Sequence, residues 1–184
     1  GWMIVISDTT PIISLLKAGH LEVLQKLFGG VLIPKAVFRE LTDNHSFQVE
    51  AAQVRECSFI HVEQVQDQKS VSIFRRVTGL DAGESESIVM AEEKKADLLL
   101  MDERKGRRVA SQMGLTITGT IGILLHAFDE ELLSGEEVET CLLRMNECGI
   151  RLNSALQDKV MEHISKTDIK NKKNSGRECL HIEH

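Results

Sequence analysis

Five short apolar runs set the limits on what this chain can fold into: MIVIS at 3–7, VLI at 31–33, FIHV at 59–62, LLLM at 98–101 and LTIT at 115–118. Each is too short for a helix and rich in branched aliphatic residues. Each is followed by a longer stretch with helical spacing. Short buried strands alternating with helices build a parallel sheet, because a parallel neighbour needs a helical crossover and the crossovers cover the sheet. The expected fold class is therefore α/β, with a central parallel sheet of about five strands.

The helices follow from caps and breakers. Thr10-Pro11 reads as a helix cap followed by the first helical position. Apolar residues from Ile12 to Leu27 suit two short helices broken near Gly19 and ended by Gly29-Gly30. A helix after Pro34 places Val37, Phe38 and Leu41 on its apolar face with Glu40 beside them. Further helices are expected at 46–56, at about 68–77, after Gly79, at 103–113, from Gly119, and at 134–147 and 153–165.

One domain is expected over 3–165, followed by a polar, basic tail at 166–184 whose composition alone reads as disordered. Part of that tail, and Gly1-Trp2 ahead of Met3, read as cloning remnants. No apolar run reaches the roughly eighteen residues of a membrane span. The N-terminal run lacks a basic lead and is interrupted by Asp8, so it does not read as a signal peptide. A cytoplasmic location is the expectation. Cys57, Cys141, Cys148 and Cys179 form no C-x-x-C pair and no zinc spacing with histidine, which suits reduced thiols. The net charge of −6 argues against a general nucleic-acid coat. Aromatic content of 4 %, without tyrosine, argues against a base-stacking platform.

Two of the strands end on an acid. Asp8 follows the first run and Asp102 the fourth. Ligands of open parallel sheets bind beyond the carboxyl ends of the strands, where strand order reverses. If these two strands are neighbours, both acids face one crevice. Glu40 can reach its rim from the helix after the second strand, and Glu84 from the helix entering the fourth. Each has a plain structural alternative. Asp8 could be a turn residue, and Asp102 could cap the 103–113 helix. Asp81-x-x-Glu84 resembles a capping box, and Glu40 could sit on a solvated helix face. Together the acids repel, at roughly 4 kcal/mol per pair near 4 Å and an effective dielectric of about 20. Such a cluster persists by binding a divalent ion or by keeping protons. Oxygen-only ligands favour Mg²⁺ or Mn²⁺ over Zn²⁺. In ERKGRR, directly after Asp102, one or two of Arg104, Lys105, Arg107 and Arg108 could meet a phosphate, although a solvated helix face also accounts for them.

SDTTP, VFREL, GLDAGESESIVMA, LLLMDERKGRRVA and LTITGTIGILL occur in that order. Together they resemble a PIN domain, in the branch related to virulence-associated (VapC-like) toxin ribonucleases, over about residues 3–165. The resemblance implies a three-layer α/β/α sandwich of Rossmann-like type. It implies an endoribonuclease dependent on Mg²⁺ or Mn²⁺, with Asp8, Glu40, Glu84 and Asp102 as the acids. Glu84 matches by lying seven residues before Ala91, with Glu86 and Asp81 as rivals. The hydroxyl position after the first acid corresponds to Thr10, with Thr9 adjacent. The resemblance also implies an antitoxin protein that covers the site, and a homodimer. The helices of 11–28 could provide such contacts or belong to the core.

Two other readings compete. A haloacid dehalogenase-type phosphatase also places Asp after its first strand, but needs a second Asp two positions on, where this chain has Thr10. A non-catalytic module could use the same acidic crevice to bind a metal or a partner.

Overall fold

The computed structural model describes residues 3–178. Gly1, Trp2, Cys179 and the tail from residue 179 onward lie outside the described residues. The strands are β1 (Val5–Ser7), β2 (Val31–Pro34), β3 (Ile60–Glu63), β4 (Leu98–Leu100) and β5 (Ile117–Thr118). They form one all-parallel sheet in the order β3-β2-β1-β4-β5. Strand order reverses between β1 and β4. Those strands pair in the register Val5–Leu98, Ile6–Leu99 and Ser7–Leu100.

Successive residues of a strand face opposite sides of the sheet. Accordingly Val5 and Leu100 join one buried apolar cluster, while Ile6 and Leu99 join a second. Both clusters are covered by helices, which makes the molecule a three-layer α/β/α sandwich. Burial on both faces is why β1, β2 and β4 read as continuous apolar runs without alternation.

On one side lie α1 (Thr9–Ala18), α8 (Thr120–Asp129), α9 (Gly135–Glu147) and the first half of α10 (Ser154–Glu178). On the other lie α6 (Ala82–Glu93), α5 (Gln68–Thr78) and α7 (Arg104–Gln112). The remaining helices are α2 (Val23–Phe28), α3 (Lys35–Asp43) and α4 (Gln48–Glu56). Ile12, Leu15 and Leu24 are fully buried, so the apolar side of the 11–28 segment is core. Cys57, Cys141 and Cys148 are free thiols. Among the described residues, no helix is long and apolar enough to cross a membrane.

Two elements differ from the expectation. Helix α1 begins at Thr9 with Asp8 in the N-cap position, so Thr10 lies inside the helix and is not its cap. Pro11 still fits, because a first-turn residue needs no intrahelical N–H partner. Helix α10 runs to Glu178, well past residue 165. Val160 and Ile164 are buried, and Gly135 lets Ile164 approach closely. Once that half is anchored, propagation through the polar residues beyond it avoids the cost of a new nucleus.

Candidate functional site

Asp8 directly follows β1, and its backbone N–H donates to the Leu100 carbonyl at 2.9 Å. That bond holds Asp8 at the junction where strand order reverses. Its side chain is buried, with the residue 4 % exposed. Although it occupies the N-cap position, its carboxyl makes no capping hydrogen bond to the second or third residue of α1. The turn-residue explanation therefore does not account for its side chain.

Glu40 comes from α3. Its Oε2 accepts from Thr9 Oγ1 at 2.9 Å. Gly83, in the first turn of α6, lies between Glu40 and Asp8. A Cβ on Gly83 would stand 2.9 Å from Glu40 Oε2 and 3.5 Å from Asp8 Oδ1. Glycine at this position leaves room for both carboxylates to approach one point.

Glu84 belongs to the same turn. It is committed in part to a capping box, in which Asp81 Oδ1 accepts from the Glu84 N–H at 2.8 Å and Glu84 Oε2 accepts from the Asp81 N–H at 3.0 Å. The capping reading of Asp81-x-x-Glu84 is thus correct, and it does not remove Glu84 from the acids. Burial pushes the Asp8 carboxyl up to about 8, opposed by a hydrogen bond from the Thr9 backbone and reinforced by the charges of Glu84, Asp81 and Glu40. Partial burial also raises Glu40 and Glu84, each with the negative charge of Asp81 adding to the effect. Glu103 contributes to the rise at Glu84.

The structure therefore brings together Asp8, Glu40 and Glu84, with Asp81 and Glu103 around them. In the sequence, Asp81 stands as a rival for Glu84. Glu103 carries only one sequence signal, its place directly after Asp102. It is Glu103, not Asp102, that caps α7, accepting from the Gly106 N–H at 2.6 Å.

Asp102 sits just beyond β4 and faces α8. Its Oδ1 accepts from the Thr120 N–H at 2.7 Å and its Oδ2 from Thr120 Oγ1 at 2.6 Å. Each oxygen retains a second acceptor position. Thr120 is buried, which keeps this pair fixed. Glu86 turns to a different place, the groove between α5 and α6. Thr10 is half-buried, and the hydroxyl that reaches an acid is that of Thr9.

The basic residues divide in two. Arg107 donates to the Met101 carbonyl at 2.9 Å and is half-buried. Arg104, Lys105 and Arg108 are exposed, and together with Glu103 they line a surface cavity of about 460 Å³.

The family model DUF3368, a PIN domain, matches residues 4–166. The chain belongs to the PIN-domain family. No curated protein matches the chain significantly. PIN domains are in general nucleases and typically use divalent metal ions. In this PIN domain the donors around Asp8 are all carboxylate or hydroxyl oxygens, the chemistry that suits a hard divalent ion. Among the described residues, no three His, Cys, Asp or Glu side chains are drawn tightly enough to hold an ion as they stand. Asp8 and Glu40 share the space over Gly83, and burial, with the neighbouring acids adding to it, raises both.

Proposed function

We propose that this PIN domain is an endoribonuclease dependent on Mg²⁺ or Mn²⁺, acting in the cytoplasm as the toxin of a toxin–antitoxin pair. The observation that carries the nuclease reading is Asp8: a buried carboxyl at the strand-order reversal, with Glu40, Glu84 and Asp81 near it, and not spent on a helix cap. Burying like charges is costly unless a cation or protons offset them.

Asp8, Glu40 and Glu84 would hold the ion, with Asp102 completing the set through its remaining acceptor positions. When bound, such an ion supplies a water of lowered pKa and neutralises charge on the phosphate. The protein's own groups do the rest. Thr9 orients the Glu40 carboxylate through its hydroxyl. Thr120 fixes the Asp102 carboxylate by two hydrogen bonds. Lys105, Arg104 and Arg108 offer charge-assisted donors to backbone phosphates. Arg107, tied to Met101, has donors left for a phosphate on its far side.

RNA, the antitoxin and a homodimeric state come to this chain from its resemblance to the toxin branch. The competing module reading predicts binding without cleavage. Incubating a mixed RNA pool with wild type and Asp8→Asn, in Mg²⁺, Mn²⁺ or EDTA, separates the two. Metal-dependent cleavage by the wild type, lost in the variant, is expected. Absence of cleavage by the folded wild type in either metal would favour the module.

A further inference from the structure

Glu86 is 8 % exposed, yet its side chain makes no hydrogen bond or ion pair with any described residue. The carboxylate still reaches solvent, so its oxygens stand ready to accept from a ligand. It opens into a groove of about 450 Å³ between α5 and α6, lined also by Ser72, Arg75, Arg76 and Gly79. Neither arginine has a carboxylate at ion-pair distance among the described residues. Arg76 donates only to Ser72 Oγ, at 3.4 Å. Lys105 reaches the same rim, its Nζ standing 3.0 Å from where a Cβ on Gly79 would be. The groove therefore has an acceptor at its floor and three cations at its mouth.

The ligand that satisfies both ends carries a negative charge and a pair of neighbouring donors. A carboxylate only accepts hydrogen bonds, through two oxygens side by side. Among the RNA bases, guanine alone presents adjacent donors, N1–H and N2–H₂, on its Watson–Crick edge. Adenine and cytosine place an acceptor nitrogen beside their amino group, and uracil flanks its one N–H with carbonyls. Single-stranded RNA is read through such edges on splayed bases. A cationic peptide side chain would also suit Glu86 but would have to pass Arg75, Arg76 and Lys105. Ala82, which lines the groove, opens the helical turn that carries Glu84, so the groove adjoins the acids.

We propose that the α5–α6 groove is a base-reading subsite for a guanine nucleotide of the RNA strand, with Glu86 accepting from the base and Arg75, Arg76 and Lys105 holding its phosphate. This rests on the nuclease reading above, and gives that nuclease a preference for guanine near the cleaved bond.

The test is calorimetric titration of GMP, AMP, CMP and UMP into the full chain in EDTA, where no cleavage is involved. GMP is expected to bind at least about tenfold more tightly than the others, ~1.4 kcal/mol. Glu86→Gln is expected to erase that preference, and Arg76→Gln to weaken all four nucleotides alike. Equal binding of the four by wild type overturns the proposal, as does a GMP preference unchanged in Glu86→Gln. Binding of N-acetyl-arginine methylamide in place of GMP overturns it in favour of a protein partner. Should Glu86→Gln fail to fold, the wild-type ranking and Arg76→Gln decide. GMP-selective binding by a chain that cleaves no RNA keeps the subsite and rejects the nuclease; cleavage without GMP selectivity does the reverse.

Discussion

Thr120 holds Asp102 by both of its donors, the backbone N–H at 2.7 Å and the hydroxyl at 2.6 Å, one to each carboxylate oxygen. This couples the end of β4 to the first turn of α8. It also aligns the carboxylate with the positive end of that helix.

Thr120→Val keeps the backbone donor, the shape and the burial but removes the hydroxyl. Hydrogen bonds to charged groups contribute about 1.5–3 kcal/mol. A loss of that order is expected in urea denaturation, with most of it recovered in Thr120→Ser. A Thr120→Val protein as stable as wild type would show that the hydroxyl does not hold Asp102.

The proton on Asp8 produces a pH-dependent stability of definite sign. Folding raises this carboxyl from its ordinary 3.8 to about 8. Between those values the folded state binds more protons than the unfolded one, so unfolding free energy falls as pH rises from about 4 to about 8. Glu40 and Glu84, also raised, act in the same direction. Asp8→Asn removes the Asp8 share. Thermal denaturation is expected to show the variant close to wild type near pH 4 and more stable than wild type, without added metal, at pH 8. A variant that is less stable at pH 8 would contradict the account.

Gly83→Ala tests the space between the carboxylates. The new methyl would press on the far end of the Glu40 side chain, which can swing away, and alanine also favours helix by up to about 1 kcal/mol over glycine. The folded state should therefore tolerate it, with a melting temperature at or above that of wild type. The rise in melting temperature produced by Mn²⁺ should shrink, because Glu40 is displaced from Asp8. An undiminished Mn²⁺ effect would separate Glu40 from the cation site.

Gly106→Ala distinguishes this position from Gly83. Its Cβ would stand 2.6 Å from the Met101 sulfur, which is fully buried in the core under α7. Overpacking of a core typically costs about 1–3 kcal/mol. Gly106→Ala should lower stability by that order in urea denaturation. A neutral result would mean that Met101 can repack.

Much of this was readable from the residues because burial and chain direction act locally. Five apolar runs, the central ones covered on two faces, announced a parallel sheet, and the acids after the first and fourth fell at its reversal point. The start of α1 was less readable. Thr10-Pro11 has the local look of a cap, but the β1–β4 bond from Asp8 N–H to the Leu100 carbonyl sets where the strand ends, and the helix begins one residue later. Asp102 offered two local roles, helix cap or free acid. It takes neither alone, because its partner Thr120 is distant in sequence. Glu103 and the groove around Glu86 were hidden for the same reason: they depend on how α5, α6 and α7 pack side by side. The basic stretch after Lys166 reads as disordered from composition, yet it continues a helix whose earlier turns are anchored by Val160 and Ile164.

The central claim is that the carboxylates around Asp8 form one divalent-cation site. Titration of Mn²⁺ into metal-free protein, followed by water-proton relaxation at pH 8, tests it directly. Binding by wild type, weakened at least about tenfold (~1.4 kcal/mol) in Asp8→Asn, is the predicted result. Equal Mn²⁺ binding by wild type and a folded Asp8→Asn protein, or none by wild type, would contradict it.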